Sequence, residues 1–264
     1  IKDWYKSHSE FEVRILSHSG ALPGAGRNFG IHNAKHEVVA FLDAGIRPQP
    51  DWLAKLMGEL ENGQVGAWGL CLSRAEGRVG TLVAAYSMGQ ESLVPYVIPA
   101  SAFLKDVFEK VGFFPENLRA GEDLVWRKNY FDLLGQRLPT KATVEYTRFP
   151  SSIRSAYRKW FLYAQHLSSS GLMKRHQACY FLFYTLLVLS FLSQLWVLAI
   201  GLSSAYLVLR GILDPIRRSG KKAWAGPCWD LYVLGPFFVF GSDLCKTGGY
   251  FWGYLSSKSS PAAL

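Results

Sequence analysis

The stretch Ala178–Leu209 contains no charged residue at all. That constrains this chain more than any other feature. A span needs roughly 20 apolar residues to cross a bilayer, and this run exceeds that. A core helix of such length would carry a polar stripe, and this one has none. Lys174-Arg175 precede the run; Arg210, Arg217 and Arg218 follow it. Basic flanks on both sides leave its orientation open, as one long tilted helix or as a helix broken near Gly201–Ser204 that re-enters. A second apolar segment covers about Trp229–Phe240, includes Gly235-Pro236 and has Asp243 just beyond it. The C-terminal part therefore reads as membrane-associated, and everything before it must fold in water.

The water-facing part alternates strand and helix patterns. Phe11–Leu16 alternates and then runs apolar, as a strand does. A short helix is expected over Arg27–Ala34, a buried strand over Val38–Asp43 and a helix from Pro50 to about Glu61. Val65–Leu72 and Val94–Pro99 read as strands and Phe103–Val111 as a helix. Arg74–Gln90 is irregular. A helix opens at Gly121-Glu122-Asp123 and ends at Gly135, and Ala142–Tyr146 closes the set as a strand. This order predicts βαβ units in an α/β domain with a mostly parallel sheet. Ser151–Leu167 is basic and aromatic on a helical period, as in helices that lie in a membrane interface. The expected division is 1–150 catalytic, 151–176 interfacial and 177–264 membrane-associated.

The net charge of +9 calls for an anionic partner. A nucleotide sugar or a membrane surface suits it; no nucleic-acid motif is present. The 4 cysteines have no paired spacing, so they are expected to be reduced thiols on a cytosol-facing protein.

The residues that could carry chemistry fall into separate pieces. Val38–Asp43 ends an apolar run in one carboxylate. At the carboxyl end of a strand in an open α/β sheet, such an acid can hold a metal that in turn holds phosphate. Gly24-Ala25-Gly26-Arg27-Asn28 offers close backbone approach and a guanidinium fit to grip phosphate. Glu122 and Asp123 sit where a helix N-terminus favours acids.

In order, Arg27-Asn28-Phe29-Gly30, Phe41-Leu42-Asp43-Ala44-Gly45 and Pro50-Asp51-Trp52-Leu53 resemble the family 2 glycosyltransferases, with their "RN-x-G … FLD-x-D … P-x-WL" run. Gly121-Glu122-Asp123 resembles the family's "G-E-D", and Gly112–Glu116 loosely matches the turn before it. The resemblance covers about residues 11–167. It implies a GT-A domain and an inverting single displacement, moving a sugar from a nucleotide-diphosphate donor to a lipid-linked or glycan hydroxyl. It further implies Asp123 as general base and Glu122 as orienting acid. Arg27 and Asn28 would lie near the nucleotide, and Asp43 would ligate a divalent cation, Mg²⁺ or Mn²⁺, although Gly45 stands where the family's second acid would be.

Tyr157-Arg158-Lys159-Trp160 departs from the "Q-x-x-R-W" of processive members and looks more like the "R-x-x-F-R-Y-G" helix of non-processive membrane members. Arg158 and Trp160 are the substrate-binding candidates there. The family's domain opens with strands that this chain, beginning Ile1-Lys2-Asp3-Trp4, lacks, so an N-terminally truncated chain is expected. The implied place is the inner (cytoplasmic) membrane, with the catalytic domain facing the cytosol. The alternative is an inactive, glycosyltransferase-like membrane scaffold.

Overall fold

The computed structural model describes residues 12–219 and 230–259. Two small sheets and their helices form the N-terminal part. The first sheet orders β1 (Val38–Ala40), β6 (Ser101–Leu104) and β3 (Gly66–Trp68), with both pairs antiparallel. The second orders β2 (Ile46–Pro48), β7 (Thr143–Tyr146), β4 (Leu70–Ser73) and β5 (Ser92–Pro95). Only β4 and β7 run parallel. The expected mostly parallel sheet is thus mixed. The short segments between β1 and β2, β3 and β4, and β5 and β6 pass from one sheet to the other, so none of them is a crossover between neighbours in one sheet.

Several boundaries shift for local reasons. Residues 12–18 form no strand, and Phe11 lies outside the described residues. The expected strand Val65–Leu72 divides at Gly69, where a Cβ would meet the carbonyl oxygens of Ala100 at 2.4 Å and Ala142 at 2.5 Å. Gly69 lets one extended run pass from the first sheet into the second. Phe103 and Leu104, expected in a helix, pair with β1, and helix α4 covers only Asp106–Val111. The irregular stretch after Arg74 contains helix α3, Gly77–Ala85. Helix α1 starts earlier than expected, at Pro23, and runs to Asn33. Helix α2 spans Trp52–Glu61, and α5 spans Glu122–Leu134.

The strand before Asp43 is not buried. β1 is an edge strand with half-exposed residues, and Phe41 adds one further bond from its amide to the Ser101 carbonyl at 2.9 Å. Leu42 and Asp43 have already left the sheet for the turn that feeds β2.

The core between β6, α4 and α5 is aromatic. Trp126 stacks between Phe108 and Phe114, with centroids 5.2 and 5.0 Å away, and donates its indole N–H to the Gly112 carbonyl at 2.7 Å. These contacts fix the Gly112–Glu116 loop against the start of α5.

Helix α6, Ile153–Leu167, is capped by Ser152 and buries Ala156, Ala164 and Leu167. Helix α10, Asp230–Ser259, packs along it. A Cβ on Gly249 would meet the Phe161 carbonyl oxygen at 2.2 Å, and one on Gly253 would meet that of Gln165 at 2.1 Å. The second apolar segment also lies against protein, since a Cβ on Gly235 would meet the Tyr86 hydroxyl at 2.2 Å and the Tyr157 hydroxyl donates to the Phe238 carbonyl at 3.1 Å; Trp229 falls outside the described residues. The uncharged run is two helices, α7 (Lys174–Leu192) and α8 (Trp196–Tyr206), broken at Ser193–Leu195 and not near Gly201. A π-helical segment, Leu207–Leu213, leads from α8 into α9, Asp214–Ser219. Among the described residues, one continuous helical stretch, Trp196–Ser219, is long and apolar enough to cross a membrane.

Candidate functional site

Three sequence pieces that lie far apart in the chain meet at Arg27. This residue sits on α1, held near β1 and α5. Its Nη1 donates to Glu122 Oε1 at 2.5 Å, and its Nη2 lies 3.4 Å from Asp43 Oδ1. The guanidinium also stands 5.5 Å from the Phe114 ring centroid. The Glu122 side chain is 7% exposed, whereas that of Asp43 is 49% exposed. One end of the cluster is therefore shielded and the other open to a ligand.

Asn28 turns inward. Its Nδ2 donates to the Phe114 carbonyl and to Glu116 Oε1, both at 2.9 Å, and its Oδ1 accepts from the Phe114 amide at 3.0 Å. Asn28 is a positioning residue that ties α1 to the Gly112–Glu116 loop. Glu116, at the end of that loop, gains its role only through this fold.

Asp123 occupies the first turn of α5, where free amides favour a carboxylate. Its Oδ1 accepts the Leu124 amide at 2.9 Å, and its side chain is half-buried. Helix α6 passes beside this acidic pair. The hydroxyl of Tyr163 is pushed up to about 12, first by burial and then by the charges of Asp123 and Glu122. That proximity was not visible from spacing. Gly121 precedes the pair with φ of 83°, and Leu167 of α6 packs against it.

Gly45 shows what stands at the second acid position. Its φ is +86°, and a Cβ there would lie 2.2 Å from Arg148 Nε. The exposed Arg148, just beyond β7, covers the Asp43-Ala44-Gly45 turn. A guanidinium therefore takes the space that a second carboxylate would need. Nothing in the sequence spacing marks Arg148; only the β2–β7 pairing brings it here.

The remaining candidates lie elsewhere. Arg158 is exposed on α6. The Trp160 ring is half-buried and carries Lys246 Nζ at 4.6 Å from its centroid, so it packs toward α10. Among the described residues, no group of three or more His, Cys, Asp or Glu gathers as a metal cage. Cys71, Cys179 and Cys245 are free, burial raising the Cys71 thiol to about 11, and Cys228 lies outside the described residues.

The chain is similar to known proteins over part of its length. Residues 1–114 match the family described as glycosyl transferase family 2. Two curated relatives, the pre-mycofactocin glycosyltransferases of Mycobacterium tuberculosis strains CDC 1551 / Oshkosh and ATCC 25618 / H37Rv, are 32% identical over 142 residues. That match covers 47% of this chain and 30% of each relative. Crystal structures of S. aureus TarS 1-349, without and with UDP, align over 100% of this chain and 80% or 79% of theirs. Their identities are 13% and 14%, with TM-scores of 0.37. Residues 1–114, which carry Arg27, Asn28 and Asp43, are thus similar to glycosyl transferase family 2, and the chain spans under a third of the length of the curated relatives it matches.

Proposed function

We propose that this chain is the catalytic part of a membrane-bound glycosyltransferase that moves one sugar from a nucleotide-diphosphate donor to an acceptor hydroxyl. The observation that carries this reading is Arg27, which joins Glu122 at 2.5 Å and Asp43 at 3.4 Å and so gathers three motif pieces into one cluster. In this reading the donor diphosphate lies over the open side of the cluster, between Arg27 and Arg148. Both guanidiniums can donate to its oxygens in bidentate fashion. Asp123 takes the proton from the acceptor hydroxyl as that oxygen attacks the anomeric carbon. The bond to the diphosphate breaks as the new one forms, and a single displacement inverts the configuration. Glu122, fixed by Arg27, orients the acceptor side.

Asp43 would hold a divalent cation, Mg²⁺ or Mn²⁺. It offers an open carboxylate, and Mg²⁺ commonly binds through one or two carboxylates plus substrate phosphates. The ion would help neutralise the departing diphosphate; the rest of its ligands would come from the donor and water.

The acceptor in this proposal is a lipid-linked molecule or a growing glycan, because the domain adjoins the apolar helices. Nucleotide sugars are cytosolic, so the catalytic face belongs on the cytosolic side of the inner membrane. Gly45 beneath Arg148 favours one other reading, an inactive scaffold that kept the fold. Incorporation of label from a panel of nucleotide sugars into membrane acceptors, measured for the full-length protein and for Asp123→Asn, separates the two. Transfer that vanishes in Asp123→Asn while nucleotide-sugar binding persists supports the enzyme. Equal transfer by both forms refutes Asp123 as base, and binding without transfer in either form supports the scaffold.

A further inference from the structure

Helices α7 and α8 form an antiparallel pair whose register is fixed by side chains. Phe191 meets Trp196 with centroids 5.9 Å apart, Phe183 stacks on Tyr206 at 5.1 Å, and Arg210 Nε donates to the Tyr180 hydroxyl at 3.0 Å. Residue numbers rise along one helix as they fall along the other, so the chain reverses at Ser193–Leu195. Gln194 adopts φ of 58° there. The reversal leaves few backbone groups unpaired. The Leu195 amide reaches the Ser190 carbonyl at 2.9 Å, and the Trp196 amide reaches that of Gln194 at 3.0 Å.

The other end of the pair is tied to the catalytic domain. The Tyr86 hydroxyl donates to the Gly211 carbonyl at 2.6 Å. Arg218 Nη1 donates to the Ser87 carbonyl at 2.6 Å, and the Gln90 amide donates to Ser219 Oγ at 2.7 Å. Gly211–Ser219 is therefore tied to the water-facing body. Although Trp196–Ser219 has the length of a span, the part free to enter lipid ends at about Leu209. At 1.5 Å per residue, Trp196–Leu209 reaches only about 20 Å. A hydrocarbon core is about 30 Å thick.

Apart from the exposed Ser193 and Gln194 of the turn itself, the surface around the tip is apolar: Val197 is 88% exposed, Leu192 75% and Ile200 64%. At the base the charges are basic. Lys174 and Arg175 begin α7, and at the end of the second arm stand Arg217, which is exposed, and Arg218, which is tied to Ser87; both pair with Asp214. The antiparallel register puts both basic pairs at the same end. A shared end accommodates the basic flanks on both sides of the run, since both then lie on the face that the positive-inside bias favours.

We infer that α7 and α8 form a re-entrant hairpin, which enters one leaflet of an anionic bilayer, stops short of the far face and returns. The basic pairs at its base then meet the headgroups of the leaflet on which the catalytic domain rests. This rests on the membrane placement proposed above. It makes the anchor a wedge that holds the Arg27 cluster beside one leaflet's headgroups.

The test uses the full chain in phosphatidylcholine–phosphatidylglycerol vesicles, with its native cysteines replaced by serine. Single cysteines are then introduced as Arg175→Cys, Gln194→Cys or Arg217→Cys. A membrane-impermeant maleimide is added outside, before and after vesicle lysis. Positions 175 and 217 should label from the same face, and position 194 only after detergent. Positions 175 and 217 on opposite faces would overturn the hairpin in favour of one crossing. Labelling of 194 from either face of intact vesicles overturns it too. A chain that fails to float with vesicles removes the membrane placement itself, and the hairpin with it. A second measurement needs no cysteine replacement: the native chain and Trp196→Phe are compared in lipids brominated at different depths. The Trp196 signal should be quenched most by the deepest bromines; strongest quenching by shallow ones refutes the inference.

Discussion

Replacing Arg27 with glutamine should destabilise the domain more than any other single change in the cluster. The substitution strands Glu122, whose side chain is 7% exposed and loses its 2.5 Å partner. Removing one partner of a buried ion pair costs about 3–5 kcal/mol. Two features lower that figure here. Arg27 keeps 18% exposure, so the pair is not fully desolvated. Glu122 also lies in the first turn of α5, where free amides and the helix dipole favour a carboxylate by about 0.3–1 kcal/mol. The expected cost is therefore about 2–3 kcal/mol. For a chain of this size that is a fall in Tm of roughly 4–12 °C. Glu122→Gln should cost less, about 1 kcal/mol, because Arg27 still faces Asp43 and the Phe114 ring. In the double variant the penalties should overlap, with a coupling of about 1–2 kcal/mol. Asp43→Asn is the control: at 3.4 Å and half exposed, its pairing should contribute under about 1 kcal/mol. The assay is thermal unfolding of the full chain in mild detergent, followed by tryptophan fluorescence. If the two single variants add to within about 0.5 kcal/mol, Arg27 and Glu122 do not act as a buried pair and the cluster argument fails.

Other outcomes follow from the same geometry. Asp123→Asn should lower transfer by about 10²–10⁴ and leave nucleotide-sugar affinity nearly unchanged, since a base is needed only during attack; a rate near that of the parent chain refutes the assignment. Asp43→Ala should weaken donor binding in Mn²⁺ and make little difference under a chelator. Donor binding by the parent chain that ignores the chelator would instead leave the diphosphate to Arg27 and Arg148. Tyr163 holds its proton up to about 12 in the fold, against about 10 when unfolded. Its contribution to stability is thus complete below pH 10 and lost between about pH 10 and 12. Tyr163→Phe should flatten that part of the alkaline unfolding curve, and an unchanged curve would separate Tyr163 from the acidic pair. Gly45→Asp rebuilds the second acid but places a Cβ at φ of +86°, against Arg148. It should cost roughly 1–2 kcal/mol in stability, read as a lower Tm.

Much of this site was legible from residue order because its parts are local. Gly121-Glu122-Asp123 announces a helix start, whereas Pro23-Gly24-Ala25-Gly26 reads as a turn and opens α1 instead. Three-residue strands were not legible, because their boundaries depend on partners. Phe103 reads equally well as helix or strand until β1 and β3 pair on either side of it. The parallel sheet failed for a related reason: alternating strand and helix patterns suggest crossovers within one sheet, but the links from β1 to β2, β3 to β4 and β5 to β6 pass between two sheets. Arg148 was invisible because it reaches Gly45 only through the β2–β7 ladder. Asn28 carried the opposite hazard. Its motif position pointed outward to a nucleotide, while its amide is saturated inside by Phe114 and Glu116.

The exchange at Gly45 has a consequence for charge. A turn with two carboxylates attracts a cation and, through it, a diphosphate. Here one carboxylate is gone, and a guanidinium covers the turn from β7 while a second reaches it from α1. The fixed positive charge near Asp43 is therefore larger, and the demand for a free cation smaller, than two acids would set. Arg148 is also exposed, so its side chain can swing onto a diphosphate at small cost in desolvation. In the function proposed above, the same residues would weaken the cage for a metal and strengthen direct capture of the donor by protein. The balance between those routes is what the chelator experiment measures, and Gly45→Asp should move it toward the metal at the expense of the fold.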